Sequence, residues 1–213
     1  MPKARPLLLF FIFIFCFSWL STPGIWKTTK AGLNHDHSEE KVWSKKISEK
    51  ILSSATHAKQ FAKQNGFNSK TSFLIDMSIS SGQNRFFIYD MEKDSILGSG
   101  LVTHGRCNED WLEGRKYSNV PGSGCTSLGK YKVGNPYHGS FGLAFKLHGL
   151  DNTNSNAFKR YIVLHSHECV PQYPVEGEIC RSDGCPTVSP NFLKELKPVI
   201  SQASKPILLW IYE

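Results

Sequence analysis

The chain has 213 residues, of which 40% are hydrophobic, 20% charged and 12% aromatic. That balance excludes a disordered or fibrous protein and is enough for one domain with its own core. The formal net charge of +7 comes without a concentrated Arg/Lys stripe or a zinc-finger spacing, so no nucleic-acid partner is expected; a mild positive excess instead suits an anionic matrix such as a cell wall or membrane surface.

Lys3 and Arg5 precede an unbroken apolar run from Leu7 to Phe17. A basic start followed by so short an apolar stretch predicts a secretory signal peptide or N-terminal anchor over residues 1–23, and hence an exported, periplasmic or cell-envelope protein. Trp19 and Leu20 stand where cleavage favours small residues, so retention as an uncleaved membrane anchor is the alternative. Lys3 and Arg5 leave with the leader, so +5 remains on the rest.

Residues 24–70 read as a polar linker followed by one amphipathic helix from Glu39 to Gln64. Trp43, Ile47, Ile51, Ala55, Ala58 and Ala62 recur at helical spacing, and Asn65-Gly66 ends the run. From Thr71 the period falls to two: Phe73, Ile75, Met77 and Ile79 alternate with polar or small residues, and a turn at Ser80 to Asn84 leads into a returning strand from Arg85 to Asp90. Further strands are expected over Ser95–Thr103, Ser127–Val133, Gly142–Leu147, Arg160–His165 and Pro206–Tyr212, with one late helix capped by Ser189 and started by Pro190. Thirteen of the seventeen glycines lie between Gly98 and Gly184, which suits short strands joined by working loops. Residues 71–213 are therefore expected to form one mainly β domain.

Besides Cys16 in the leader there are five cysteines, Cys107, Cys125, Cys169, Cys180 and Cys185. An oxidising compartment favours pairing, and an odd number leaves at least one thiol. The spacings suggest Cys107 with Cys125 and Cys169 with Cys180, although four cysteines permit three pairings. The unpaired Cys185 sits between Gly184, which allows a tight turn, and Pro186, which fixes φ after it. A thiol acting near pH 7 needs a base or electropositive surroundings, and His165, at the end of the apolar strand, is the best candidate for the base.

The order and spacing of several segments resemble the murein L,D-transpeptidase catalytic domain-like (YkuD-type) family. These segments are His104-Gly105, Tyr117 to Ser123, Ser127 to Tyr131, Leu147 to Leu150, Asn156-Ala157 before the Arg160–His165 strand, and Arg181 to Pro186. The resemblance runs from about Phe73 to Tyr212 and implies a β-sandwich or barrel catalytic domain preceded by a helix. It implies Cys185 as nucleophile and His165 as catalytic histidine, with no cofactor and no metal. His104, Ser118 and Asn119 are expected to line the cleft. Arg181 is expected to clamp a substrate carboxylate, and Ser182 is one hydroxyl that could hold the second ring nitrogen of His165. The backbone N–H groups of Gly184 and Cys185 are the expected oxyanion donors.

By the same resemblance the reaction is acyl transfer through a thioester on peptidoglycan stem peptides, with L,D-carboxypeptidase hydrolysis or a non-catalytic wall-binding role as alternatives. Asp183 departs from the commoner branch, which has a second histidine there. Pro186, Ser166 and the lack of an arginine directly after the cysteine also depart from it. Three weaker alternatives are a Ser127-x-x-Lys130 serine acyltransferase, His148 in place of His165 as the base, and a metal held by His104, His165, His167 and Cys185.

Overall fold

The computed structural model describes residues 37–109 and 114–213, with side chains from residue 44 onward. The chain divides into two compact units, Met1–His37 and Ser38–Glu213. The first, apart from His37, lies outside the described residues, and so do the predicted leader and linker.

Helix α1 spans His37–Asn65. Ile51, Ala55, Ala58 and Ala62, on one stripe, are almost wholly buried. Their small side chains let the helix lie close on the sheet, where it covers Leu74, Phe87, Tyr89, Leu208 and Tyr212. Lys50 ties this face down through a 2.9 Å ion pair to the fully buried carboxylate of Asp76.

The strands are β1 (Thr71–Asp76), β2 (Phe86–Asp90), β3 (Ser95–Gly100), β4 (Gly129–Gly139), β5 (Gly142–Gly149), β6 (Val163–Ser166), β7 (Thr187–Val188) and β8 (Leu208–Tyr212). They form one sheet in the order β3-β2-β1-β8-β4-β5-β6-β7. The mainly β domain with a preceding helix is therefore present, but the expected closed sandwich or barrel is not. No ladder joins the end strands β3 and β7, and only a single bridge, Val102 to Val188, links the chain beyond β3 to β7. The alternation read from Phe73, Ile75 and Met77 marks one face of β1. Leu74 on the other face is equally buried, because α1 covers that side.

The main core lies on the sheet face opposite α1 and takes in Phe73, Phe86, Tyr131, Phe145, Leu164 and Leu209, closed by Phe192, Leu193 and Leu196 of α2 (Pro190–Ser201). Ser189 caps α2 by accepting from the Phe192 N–H, and Pro190 stands at its start. The helix passes through Pro198 and ends at Ser201. Strand β4 runs six residues beyond the predicted Val133, through a register shift between Val133 and Pro136 that accommodates the proline. Arg160 and Tyr161 are turn rather than strand and Ile162 is in neither, so β6 begins only at Val163.

Candidate active site

Two short ladders bring the carboxy-terminal loop to the end of the sheet. β6 pairs antiparallel with β5, placing His165 opposite Ala144, and parallel with β7, placing His165 opposite Thr187. Cys185 stands two residues before Thr187, so this register brings Cys185 and His165, twenty positions apart in sequence, to one cavity. The loop is also stitched to the chain after β3: the Ser182 N–H donates to His104 O at 2.9 Å, and the Arg106 N–H to Ser182 O at 2.8 Å.

Cysteines 107 and 125 form one disulfide and cysteines 169 and 180 another; Cys185 is a free thiol. It lines a cavity of about 250 Å³ together with His165, Thr187, Phe141, Arg181 and Ser182. Its Sγ accepts from the Val163 N–H at 3.4 Å and lies 3.7 Å from Tyr161 O. Burial raises the thiol pKa above its ordinary value, and the Asp183 carboxylate adds to this; the Val163 N–H and the charge of Arg160 oppose it.

His165 is buried, 5% exposed. Nδ1 lies 3.1 Å from Ser166 O, which fixes it as the protonated nitrogen, and Nε2 lies 3.0 Å from the Thr187 hydroxyl. The hydroxyl partner of the ring is therefore Thr187 and not Ser182, whose Oγ donates to Cys185 O at 2.7 Å. Burial lowers the His165 pKa below the usual imidazole value, and His167 adds to this against the Ser166 carbonyl. Phe141, from the β4–β5 turn, stacks on the ring at 4.4 Å and 26°. Burial thus disfavours the charged form of both groups.

Gly184 adopts φ +105°, and a side chain there would meet Cys125 O at 2.4 Å. Only glycine fits this turn. Its N–H donates to Ser182 Oγ at 3.2 Å, so an incoming oxyanion would have to displace that hydroxyl. At the rim Arg106 Nε meets Asp183 Oδ1 at 2.7 Å, with both side chains exposed.

Three of the predicted cleft residues lie elsewhere. His104 is 3% exposed and sits between Arg85, 3.3 Å from its Nδ1, and Glu178, 3.7 Å from its Nε2. Burial, chiefly, and then the Arg85 charge push its pKa down to about 4. Ser118 Oγ accepts from the Val120 N–H, and Asn119 latches its loop to Asn152, Ser155 and Asn156. None of these three lines the Cys185 cavity.

The weaker alternatives also have their own surroundings. Ser127 Oγ is buried against Tyr131 Oη at 2.7 Å, while Lys130 pairs with Asp151. His148 lies in β5, stacked on Phe158. Among the described residues no group of three or more His, Cys, Asp or Glu side chains could hold a metal ion. Sequence reasoning missed Phe141, Thr187 and Arg160. Thr187 had a signal in its place two residues beyond Cys185 on a strand, whereas Phe141 had none.

Residues 43–212 match the family described as L,D-transpeptidase catalytic domain. The chain belongs to that family. The match begins at Trp43 inside α1, upstream of the Phe73 start suggested by the motifs, so it takes in most of that helix. Two solved structures are similar. One is the L,D-transpeptidase (residues 123–326) from Xylanimonas cellulosilytica, at 17% identity and TM-score 0.38, covering 72% of this chain and 68% of that one. The other is the helical cell shape determining protein Pgp2 (K307A mutant) from Campylobacter jejuni, at 17% identity and TM-score 0.42, covering 69% of this chain and 49% of that one. This L,D-transpeptidase domain thus spans about half of the Campylobacter chain. No curated protein matches it.

Proposed function

We propose that this L,D-transpeptidase domain is an exported, cell-envelope acyltransferase that works on peptidoglycan stem peptides through a thioester on Cys185. The observation that carries this reading is the free thiol of Cys185 in one cavity with His165, in a chain whose other described cysteines are paired. The envelope location rests on the leader-like residues 1–23 and on the substrate class, and an uncleaved leader would add membrane attachment.

The electrostatics favour general-base attack from a neutral pair over a preformed thiolate–imidazolium pair, because burial works against both charges. With Nδ1–H donated to Ser166 O, Nε2 is the nitrogen that accepts a proton, and it must exchange the Thr187 hydroxyl for the thiol. As Sγ bonds to the carbonyl carbon between the L-centre and the terminal D-residue, its proton passes to Nε2. The C–N bond then breaks, and the same proton leaves with the amine of the D-residue. A second stem's amine attacks the thioester, forms the cross-link and returns the thiol.

The Cys185 N–H, with Gly184 N–H once Ser182 releases it, supplies the oxyanion donors. Arg181 at the cavity wall fits a stem carboxylate, and Ser182 holds the carbonyl of Cys185. His104, Ser118 and Asn119 brace the loops that frame the cleft.

Incubation of purified protein with muropeptides tests the reading. Cross-linked dimers together with released D-amino acid, both lost in Cys185→Ala, are expected. Release without dimers identifies the domain as an L,D-carboxypeptidase instead. Unchanged profiles in Cys185→Ala, with sacculus binding retained, leave a wall-binding module.

A further inference from the structure

Arg160 has been given no part in the reaction above, yet its guanidinium makes four hydrogen bonds close to the nucleophile turn. It leaves the chain in the turn just before β6. Nη1 donates to Ser118 O at 2.6 Å and to Ser127 Oγ at 3.2 Å; Nη2 donates to Ser123 Oγ at 3.3 Å and to Cys125 O. All four partners are uncharged, and among the described residues no acidic side chain forms an ion pair with this guanidinium. Its full positive charge therefore remains available to whatever lies beside it.

What lies beside it is the nucleophile turn. Nη2 is 3.2 Å from where a Cβ on Gly184 would sit, and the same Cys125 carbonyl oxygen that Nη2 grips is 2.4 Å from that position. The guanidinium, Cys125 O and Gly184 are therefore in mutual contact one residue before Cys185. Resting on the acyltransferase reading above, we propose that Arg160 is the positioning residue of Cys185: its guanidinium buttresses the Gly184 turn and sets a positive charge against it, one residue before the thiol.

The other groups around Cys185 do not supply that charge equally well. Asp183, on the same loop, acts in the opposite sense and is paired with Arg106. His165 and His167 face the cavity from β6 and its exit, and burial works against a charge on His165. Arg181 lines the cavity on the substrate side. Tyr131, buried in the core behind, feels the charges of both Arg160 and Cys185 but is itself held neutral, its pKa pushed up to about 12. Arg160 is thus the cation set against the Gly184 turn, and it does not line the cavity that Cys185 shares with His165. A guanidinium suits this position because it stays charged while anchored by several carbonyls at once.

The test reads the thiol directly, without substrate. The rate of iodoacetamide alkylation of Cys185 is followed by intact mass across pH 6 to 10, as about five values, in the full chain with its disulfides intact. Arg160→Gln is expected to displace the profile upward by about one pH unit, seen as roughly tenfold slower alkylation at pH 8. Arg160→Lys, which keeps the charge, is expected to recover most of the rate. Lys159→Gln, one residue away and exposed, is expected to leave the profile in place. Should Arg160→Gln not fold, Arg160→Met, which keeps the aliphatic stem, gives the same readout.

An unchanged profile in the neutral variants overturns the proposal. Equal slowing in the Lys and neutral variants also overturns it, because the carbonyl anchoring and not the charge would then be responsible. Failure of the acyltransferase reading is separable: a wild-type protein that turns over no muropeptide but shows the Arg160-dependent profile keeps the thiol assignment and loses only the reaction.

Discussion

Replacing Gly184 with alanine should both destabilise the domain and disable the thiol, and the size of the first effect can be worked out from the turn. At φ +105° a Cβ costs about 1–2 kcal/mol in backbone conformation. The same Cβ meets Cys125 O at 2.4 Å and Arg160 Nη2 at 3.2 Å. Cys125 O is backbone, tied by the Cys107–Cys125 disulfide and gripped by Arg160, so it cannot swing aside as a side-chain tip could. Forcing atoms into packed surroundings costs about a further 1–3 kcal/mol. The stiffer unfolded chain returns about 0.4–1 kcal/mol, so the net loss is about 3 kcal/mol.

For a chain of this length each kcal/mol lowers Tm by about 2–4 °C, so Gly184→Ala should melt about 6–12 °C below wild type. Gly66 provides the control: its φ of +73° carries the conformational cost, but nothing lies within 4 Å of a Cβ there. Gly66→Ala should therefore lose about 1 kcal/mol, or about 2–4 °C. Thermal unfolding followed by circular dichroism measures both, and Cys185 alkylation of each variant reports the thiol. Equal melting of the two variants would refute the claim that the turn is pressed against Cys125 and Arg160.

Acid should destabilise the protein through His104. Its folded pKa of about 4 lies below the unfolded value of 6.5, so the unfolded chain binds the proton first. Stability is therefore complete above pH 6.5 and falls as the pH drops toward 4, by about 3 kcal/mol in all. His104→Asn, which keeps an acceptor for Arg85 but does not titrate, should flatten urea-unfolding free energies over that range, and an unchanged slope would dismiss His104 as the cause. Removing the Cys107–Cys125 bridge, which closes a separation of 18 residues, should cost about 3 kcal/mol. It should also slow Cys185 alkylation, since Cys125 O is part of the turn's support. A Cys107→Ser/Cys125→Ser double variant with lowered Tm and wild-type alkylation would separate the bridge from the thiol.

The elements that sequence periodicity revealed are those buried on a simple stripe or face. Ile51, Ala55, Ala58 and Ala62 betrayed α1, and Ser189-Pro190 marked the start of α2 because capping chemistry is local. Leu74 was less legible, since burial on both faces of β1 erases alternation. That the sheet stays open was not legible either, because it depends on how the chain after β3 meets β7, through the Val102–Val188 bridge, and not on any strand's composition.

At the site, Cys185 was singled out by its neighbours and by cysteine parity, and His165 by its place at a strand end. Phe141 stacks on His165 only because the β5–β6 ladder brings a turn over it. Arg160 matters only because a loop 35 positions away in sequence places the Cys125 carbonyl against it. His104, Ser118 and Asn119 were expected at the cleft by family likeness and instead make contacts that hold its frame.

Intact mass of the disulfide-intact protein, quenched in acid during reaction with a tetrapeptide stem donor, tests the acyl-enzyme most directly. The account predicts an adduct equal to the stem less its terminal D-residue, carried on the peptide that contains Cys185 and absent from Cys185→Ala. Turnover of the stem at an undiminished rate by Cys185→Ala, or an adduct on any other residue, would contradict it.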